Sequence, residues 1–398
     1  MENILNANEA MKMLREQITN LKESYIVTVL FVIIGIVVIS VFIVFYSLAT
    51  LEKRNCDRLA YLYPEINGKI QNMGSGPDQK YMFRDYYIRT AYNACCTGQF
   101  MHSVVSTCAL RDVIKQGARC LDFEIYSLQD QPVVATSTLN KNTVKEVYNS
   151  VPWKDALGVI MNYAFNAGSC PNPDDPLIVH FRFMSTNKKM YDNMFNIMVK
   201  QFGGNANRLL EPMLHFMENR GVGGLFAKMF KKPLPASKNL GETPIQSMKK
   251  KITFLCANTN RTWEESNLYF FINGTTGSIF CRLLNSEELR NTPSIQELRL
   301  YNKRNMTIVI PERLKNPQNP NAMAARRMGC QMIAVRFPHQ DKQWFEQDAF
   351  FTSAGSAFVL KPPHLRFVQE YIPPPKKQDP RLSFKTRKMS APGINFSI

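Results

Sequence analysis

Asp122 and Glu124 lie two residues apart in the run CLDFEI, Cys120 to Ile125. Residues i and i+2 of a strand share one face, so both carboxylates must point to the same side. His180 and Arg182 repeat that spacing in PLIVHFR. A guanidinium opposite two carboxylates can neutralise both through paired N–H···O contacts. Each pair is therefore expected to share one strand face. The nine cysteines carry no CxxC or other metal-binding spacing. Their odd number and scatter predict mostly reduced, buried thiols in a cytosol-facing or virion-interior domain.

The elements that must position these groups are those of an α/β chain. From about residue 80, short apolar strands alternate with amphipathic helices, the pattern of a parallel sheet. Helices are predicted over Ala109–Gln116, Trp153–Phe165 and Met190–Phe202. Strands are predicted over Arg119–Ile125, Val133–Ala135, Pro176–Phe183, Ile252–Leu255, Gln331–Phe337 and Ser356–Leu360. Residues 368–398 are basic and rich in proline, which predicts an extended tail without a core.

The N-terminal part reads differently. Tyr25 to Leu51 carries no charge and is dense in Ile, Val and Phe. That exceeds the roughly 20 residues needed to cross a bilayer, so a single retained transmembrane helix is predicted over 25–51. A signal peptide fits poorly: the apolar run is too long and a mixed-charge segment precedes it. Lys12, Arg15 and Lys22 come before the span, and Lys53, Arg54, Arg58 and Lys69 after it. The near-tie leans toward a cytoplasmic C-terminal domain. In residues 1–24, Ile4, Ala7, Met11, Leu14, Ile18 and Leu21 form a heptad-like seam, so self-association through residues 4–25 is one expectation and an amphipathic helix lying on the bilayer is the other. Residues 52–79 read as a linker. The net charge of +17 favours anionic partners, with anionic lipid head groups as candidates and nucleic acid not expected. Asn260, Asn273, Asn305 and Asn395 begin N-x-S/T triplets.

Eight blocks in order carry a family resemblance. DYYIRTAYN (85–93), GARCLDFE (117–124), PVVATSTL (132–139), DALGVIMNYAF (155–165) and PLIVHFR (176–182) resemble the X region of phosphoinositide-specific phospholipase C. YNKRNMTIVIP (301–311), GCQMIAVRF (329–337) and AGSAFVLKPPHLR (354–366) resemble its Y region. The sequence is most similar to divergent phospholipase C-like proteins of large DNA viruses. The resemblance implies a distorted TIM barrel behind the transmembrane helix, with an X-like half at 80–255, a short connection at 256–293 and a Y-like half at 294–367. Any site would lie at the C-terminal ends of the strands.

The same resemblance implies that the chemistry is lost. The family uses two histidines for proton transfer and, in its animal enzymes, a calcium ion. Tyr92 and Ala135 stand at the two histidine positions. None of His102, His180, His215, His339 and His364 matches either one. Alanine transfers no proton, and a phenol is a poor base at neutral pH. Asn93, Asp122 and Glu124 match calcium ligands in type, but Arg182 stands at the last ligand position, where its charge would repel a metal; the resemblance thus implies one polar network, with Arg182 within salt-bridge reach of Asp122 or Glu124 and His180 beside it. Bacterial relatives also carry an arginine there but keep both histidines. Of the head-group positions, Lys249, Lys251 and Ser294 match phosphate contacts, whereas Ile308 and Ile310 replace the family's arginine and tyrosine. The resulting expectation is a membrane-anchored, phospholipase C-like pseudoenzyme with a structural or interaction role in a viral membrane or virion, without cofactor or metal. Two rivals stand beside it: a calcium-independent phosphodiesterase relying on Arg182, with Tyr92 or His180 moving protons, and a non-catalytic phosphoinositide-binding module using Lys249 and Lys251.

Overall fold

The computed structural model describes residues 2–74, 80–138, 144–210, 239–368 and 384–397. One continuous helix, α1 (Glu2–Ala49), contains both N-terminal segments. From Glu9 to Ala49 it is long and apolar enough to cross a membrane, and its apolar side chains, Phe31, Phe42 and Phe45 among them, lie open.

Helix α2 (Leu51–Leu62) follows directly. Thr50 N donates to Tyr46 O and Arg54 N to Thr50 O, which carries the helical hydrogen bonding across the junction. Residues 52–79 are thus not simply a linker. Leu59 of α2 and the following Tyr63 are buried in the main core, and Cys56 forms a disulfide with Cys108 in the first turn of α3 (Thr107–Lys115). The expectation of reduced thiols fails for this pair, which packing of one helix on another brings together across 52 residues of sequence. The other seven cysteines are free and buried. Gly117 ends α3 at φ +78°, and a Cβ there would sit 2.9 Å from Ile70, so glycine is needed for both conformation and space.

The described residues contain eight parallel strands in a nearly closed barrel. They are β1 (Tyr86–Ala91), β2 (Cys120–Leu128), β5 (Leu177–Phe183), β6 (Ile252–Ala257), β7 (Ile272–Thr276), β8 (Cys281–Asn285), β9 (Met306–Ile310) and β10 (Met332–Val335). Their lateral order is β7-β6-β5-β2-β1-β10-β9-β8, which leaves the seam between β7 and β8. The antiparallel strands β3 (Gln131–Val134) and β4 (Val151–Pro152) extend the ladder from β2, and β11 (Phe358–Leu360) runs antiparallel to β1. Strands β7 and β8 lie inside the stretch 256–293 expected to be a connection, so that stretch supplies two of the eight barrel strands.

Alternation along the strands separates two cores. Leu121, Phe123 and Ile125 of β2, with Val179, Phe181 and Phe183 of β5, face outward and pack under α3, α4 (Trp153–Tyr163) and α5 (Lys188–Phe202). Trp153 wedges edge-on between Phe123 and Phe181. Cys120, Ile178, Leu255, Ile308, Met332 and Ala334 form a second, inner cluster. Helices α6 (Ser286–Arg290), α7 (Ile295–Arg304), α8 (Ala322–Arg327) and α9 (Lys342–Ala354) accompany the Y-like strands. The C-terminal unit, residues 367–398, is not wholly extended: β12 (Lys388–Ala391) and β13 (Ile394–Ser397) pair as a hairpin. Residues 369–383 of the predicted tail lie outside the described residues.

Candidate functional site

The parallel register of β2 and β5 pairs Asp122 with His180 and Glu124 with Arg182. The inward face is therefore apolar at the strands' beginnings and polar toward their C-terminal ends. Arg182 lies at the centre of the cluster. Its Nε donates to Asp122 Oδ1 at 3.0 Å and its Nη2 to Asp122 Oδ2 at 2.7 Å, a bidentate pair. Nη1 donates to Glu124 Oε1 at 2.6 Å, and Nη2 also reaches Asn93 Oδ1 at 2.8 Å. Asn93 follows β1 with φ +44°, a left-handed conformation that turns its side chain into the cluster.

Each carboxylate has a full set of partners. Besides Arg182, Asp122 receives the Asn93 backbone N–H at 3.2 Å and meets His180 Nδ1 at 2.7 Å. Glu124 receives Arg313 Nη2 at 2.8 Å, the Tyr126 hydroxyl at 2.8 Å and the Ser137 N–H at 3.2 Å. Two carboxylates thus face two guanidiniums. Burial alone would raise the Asp122 carboxyl, but Arg182 and His180 hold it well below the usual carboxylate range. Burial likewise opposes the charge on Arg182, and the carboxylates hold its pKa well above the ordinary value.

Proton carriers are scarce at the positions where they were sought. Tyr92 is 2% exposed, and its ring lies 4.4 Å from the Arg182 guanidinium carbon in a cation–π contact. Burial, partly offset by Arg182, pushes its hydroxyl up to about 12. Ala135 is fully buried beyond β3, its backbone N–H donating to Glu124 O. His180 is fixed between Asp122 and Thr276 Oγ1, the latter at 2.8 Å from Nε2. Arg313, Tyr126, Thr276 and Ser137 escaped the sequence reading. Arg313 comes from the loop after β9, and no spacing in the sequence links it to Glu124, 189 residues earlier.

Residues 80–212 match the family model for the phosphatidylinositol-specific phospholipase C X domain, and residues 281–364 match the model for its Y domain. The chain belongs, through its X and Y regions, to the phosphatidylinositol-specific phospholipase C family. Its structure is similar to the crystal structure of S. officinalis PLC21, with 17% identity and a TM-score of 0.54 over 76% of this chain and 39% of that one. The L. pealei PLC21 structure gives 18% and 0.55 over 74% and 39%. A calcium-dependent phosphoinositol-specific phospholipase C from Pseudomonas sp gives 9% and 0.43 over 74% and 99%. The chain spans about two fifths of the length of the PLC21 chains, and at these identities the likeness is one of fold. No curated protein sequence matches the chain.

The calcium associated with phospholipase C does not fit this cluster. Calcium requires six to eight oxygen ligands. The oxygens of Asp122 and Glu124, with Asn93 Oδ1, are already bonded to guanidinium, hydroxyl, imidazole and amide groups. The Arg182 guanidinium lies between Asp122, Glu124 and Asn93, within 3.0 Å of an oxygen of each.

The head-group positions of the phospholipase C pattern fall elsewhere. Lys249 caps a short 3-10 turn and Lys251 precedes β6, which begins at Ile252. Both sit at the beginning of a parallel strand, the end of the barrel opposite the polar cluster, rather than on the strand face assumed from the K-x-K match. The reason is register: Lys250 takes φ +60°, which breaks the extended run just before β6. Ser294 is the N-cap of α7, its side chain accepting from the Glu297 N–H. Ile308 and Ile310 are buried inside the barrel. Of the N-x-S/T asparagines, Asn260 donates to Ser185 O and Tyr191 Oη, Asn273 accepts from the Phe254 N–H, Asn305 is the C-cap of α7, and Asn395 lies exposed on β13.

Proposed function

We propose that the protein is a catalytically silent, membrane-anchored phospholipase C-like barrel with a structural or interaction role. Helix α1 supplies the anchor. A viral membrane or virion is the setting suggested by the resemblance to phospholipase C-like proteins of large DNA viruses. The observation that carries the reading is the saturation of the cluster. A protein-borne guanidinium neutralises Asp122 and Glu124, and among the described residues no free imidazole stands beside it. Phosphodiester cleavage needs a base for the attacking hydroxyl and an acid for the leaving group, each effective near neutral pH. Tyr92 with its pKa near 12 and Ala135 with a methyl group supply neither.

The calcium-independent enzyme would need Arg182 free to hold a phosphate, and four of its five N–H groups donate to carboxylates and Asn93. A phosphoinositide-binding module based on Lys249 and Lys251 would bind at the far end of the barrel from Asp122. Incubation of the purified full chain with phosphatidylinositol vesicles tests the proposal. No inositol phosphate should appear above the protein-free rate across about pH 5 to 8, the range where imidazole-type catalysis operates. Turnover that disappears in Arg182→Ala would overturn it.

A further inference from the structure

Helix α1 carries an apolar seam that its own chain leaves open. Ile4, Met11 and Ile18 fall at one heptad position, and Ala7, Leu14 and Leu21 at the other apolar one, so on the helix these positions form one stripe. Of the seam residues described, Met11 is 64% exposed, Leu14 57% and Ile18 50%. An apolar stripe in water needs a cover. The bilayer does not supply one. α1 runs unbroken from Glu2 to Ala49, with no glycine or proline before Gly35 to bend it. Residues 1–24 therefore leave the bilayer along the axis of the span and reach about 36 Å beyond it. A helix that lies on lipid would have to turn sharply near Tyr25. The barrel does not cover the seam either, because it follows the other end of the span, on the far side of the bilayer.

The seam and its flanks fit a second copy of the same helix. Isoleucine at the first apolar position with leucine at the second favours two parallel strands. Beside the seam stand Arg15 and Lys22 on one flank and Ala10 and Gln17 on the other. In a parallel pair the two flanks meet, Arg15 against Ala10 and Lys22 against Gln17 of the second copy, so no like charges oppose. An antiparallel pair would set the basic flanks against each other. Two copies anchored the same way in one bilayer are parallel in any case.

The same phase continues into the span. Counted on in heptads from Leu21, the second apolar position falls on Thr28 and Gly35. Small residues let membrane helices approach closely. Glycine is disfavoured in the middle of a helix, and beyond the helix's own backbone nothing in the chain lies within 4 Å of a Cβ built at Gly35. No contact within the chain requires that glycine, whereas a neighbouring helix would use the room.

We propose that α1 pairs with α1 of a second copy as a parallel two-stranded coiled coil over residues 4–25, continued into the bilayer at Thr28 and Gly35. The protein is then a dimer held together by its anchor. This rests on α1 being a retained span. Two barrels tethered at one place present every interaction surface twice, which strengthens binding to a partner that offers repeated sites.

Full-length chains carrying Met11→Cys, or separately Ile18→Cys, are expressed in membranes and treated with a mild thiol oxidant, with the parent as the baseline. Glu16→Cys, on the opposite side of the helix, is the reference. Both seam variants should form disulfide-linked dimers several-fold faster than Glu16→Cys, and the parent should sediment in detergent as two chains. Equal rates at all three positions, or a parent that sediments as one chain, overturn the dimer when the chains resist alkaline carbonate extraction. Cross-linking at only one of the two seam positions overturns the parallel register. Release of the chain by carbonate overturns the span on which the pairing rests, so the two failures are distinguishable.

Discussion

Arg182 is 4% exposed and bonded to two carboxylates. Replacing it with alanine would leave Asp122 and Glu124 buried, with Arg313 the one guanidinium still bonded to either among the described residues. Removing one partner of a buried ion pair costs about 3–5 kcal/mol, because the charge left behind stays desolvated. Arg182→Ala is therefore expected to melt well below the parent in thermal unfolding, and a variant as stable as the parent would refute the ion-pair account. Arg182→Lys should recover only part of the loss, since a point ammonium cannot reproduce the bidentate fork on Asp122.

Lys361 carries a second residue-scale prediction. It is 1% exposed, and its Nζ donates to Asn302 O at 2.9 Å. Burial pulls its pKa down to about 7, with Cys330 and Asp85 opposing. The folded value lies below the unfolded one, so between about pH 7 and the ordinary lysine value the unfolded chain holds the extra proton. Stability should rise with pH across that window, at up to about 1.4 kcal/mol per unit. Lys361→Met should flatten the rise, and an unchanged slope in the variant would contradict it.

Among the elements, legibility followed the pattern each segment carries. Strands β2 and β5 are apolar on the outward face with charged residues at i, i+2, so both the strand and the shared face could be read from CLDFEI and LIVHFR. Strands β7 and β8 could not. INGTT contains Asn and Gly, residues typical of turns, and CRLLN lies at the seam with only Cys281 buried. Helix α2 was hidden because LEKRNCDRLAYL buries little beyond Leu59, and its hold on the barrel comes from a disulfide and polar contacts with distant loops. Lys249 and Lys251 were placed on a strand face because a motif was matched without knowing where its strand begins. The disulfide makes its own prediction. It closes a loop of 52 residues in sequence, for which the chain-entropy estimate is about 4 kcal/mol. Cys56→Ser with Cys108→Ser should lower the melting temperature, and reductant should lower the parent's and leave the double variant unaffected. A parent insensitive to reductant would mean that the bond does not form.

At the scale of the whole molecule, the frame of a phospholipase C barrel persists while its mouth is filled from within. Arg182 arrives from β5, Arg313 from the loop after β9, and both converge on acids carried by β2. The proposed silence of the barrel rests on this closure and on Tyr92 and Ala135 standing where the phospholipase C resemblance places two histidines. On the proposed reading, the cation of this mouth is a side chain and not a metal. Equilibrium binding of radiolabelled calcium to the purified full chain tests it most directly. No saturable site is expected in the parent, and one should appear in Arg182→Glu, where a carboxylate would join Asn93, Asp122 and Glu124. Saturable binding of one calcium per parent chain would contradict it.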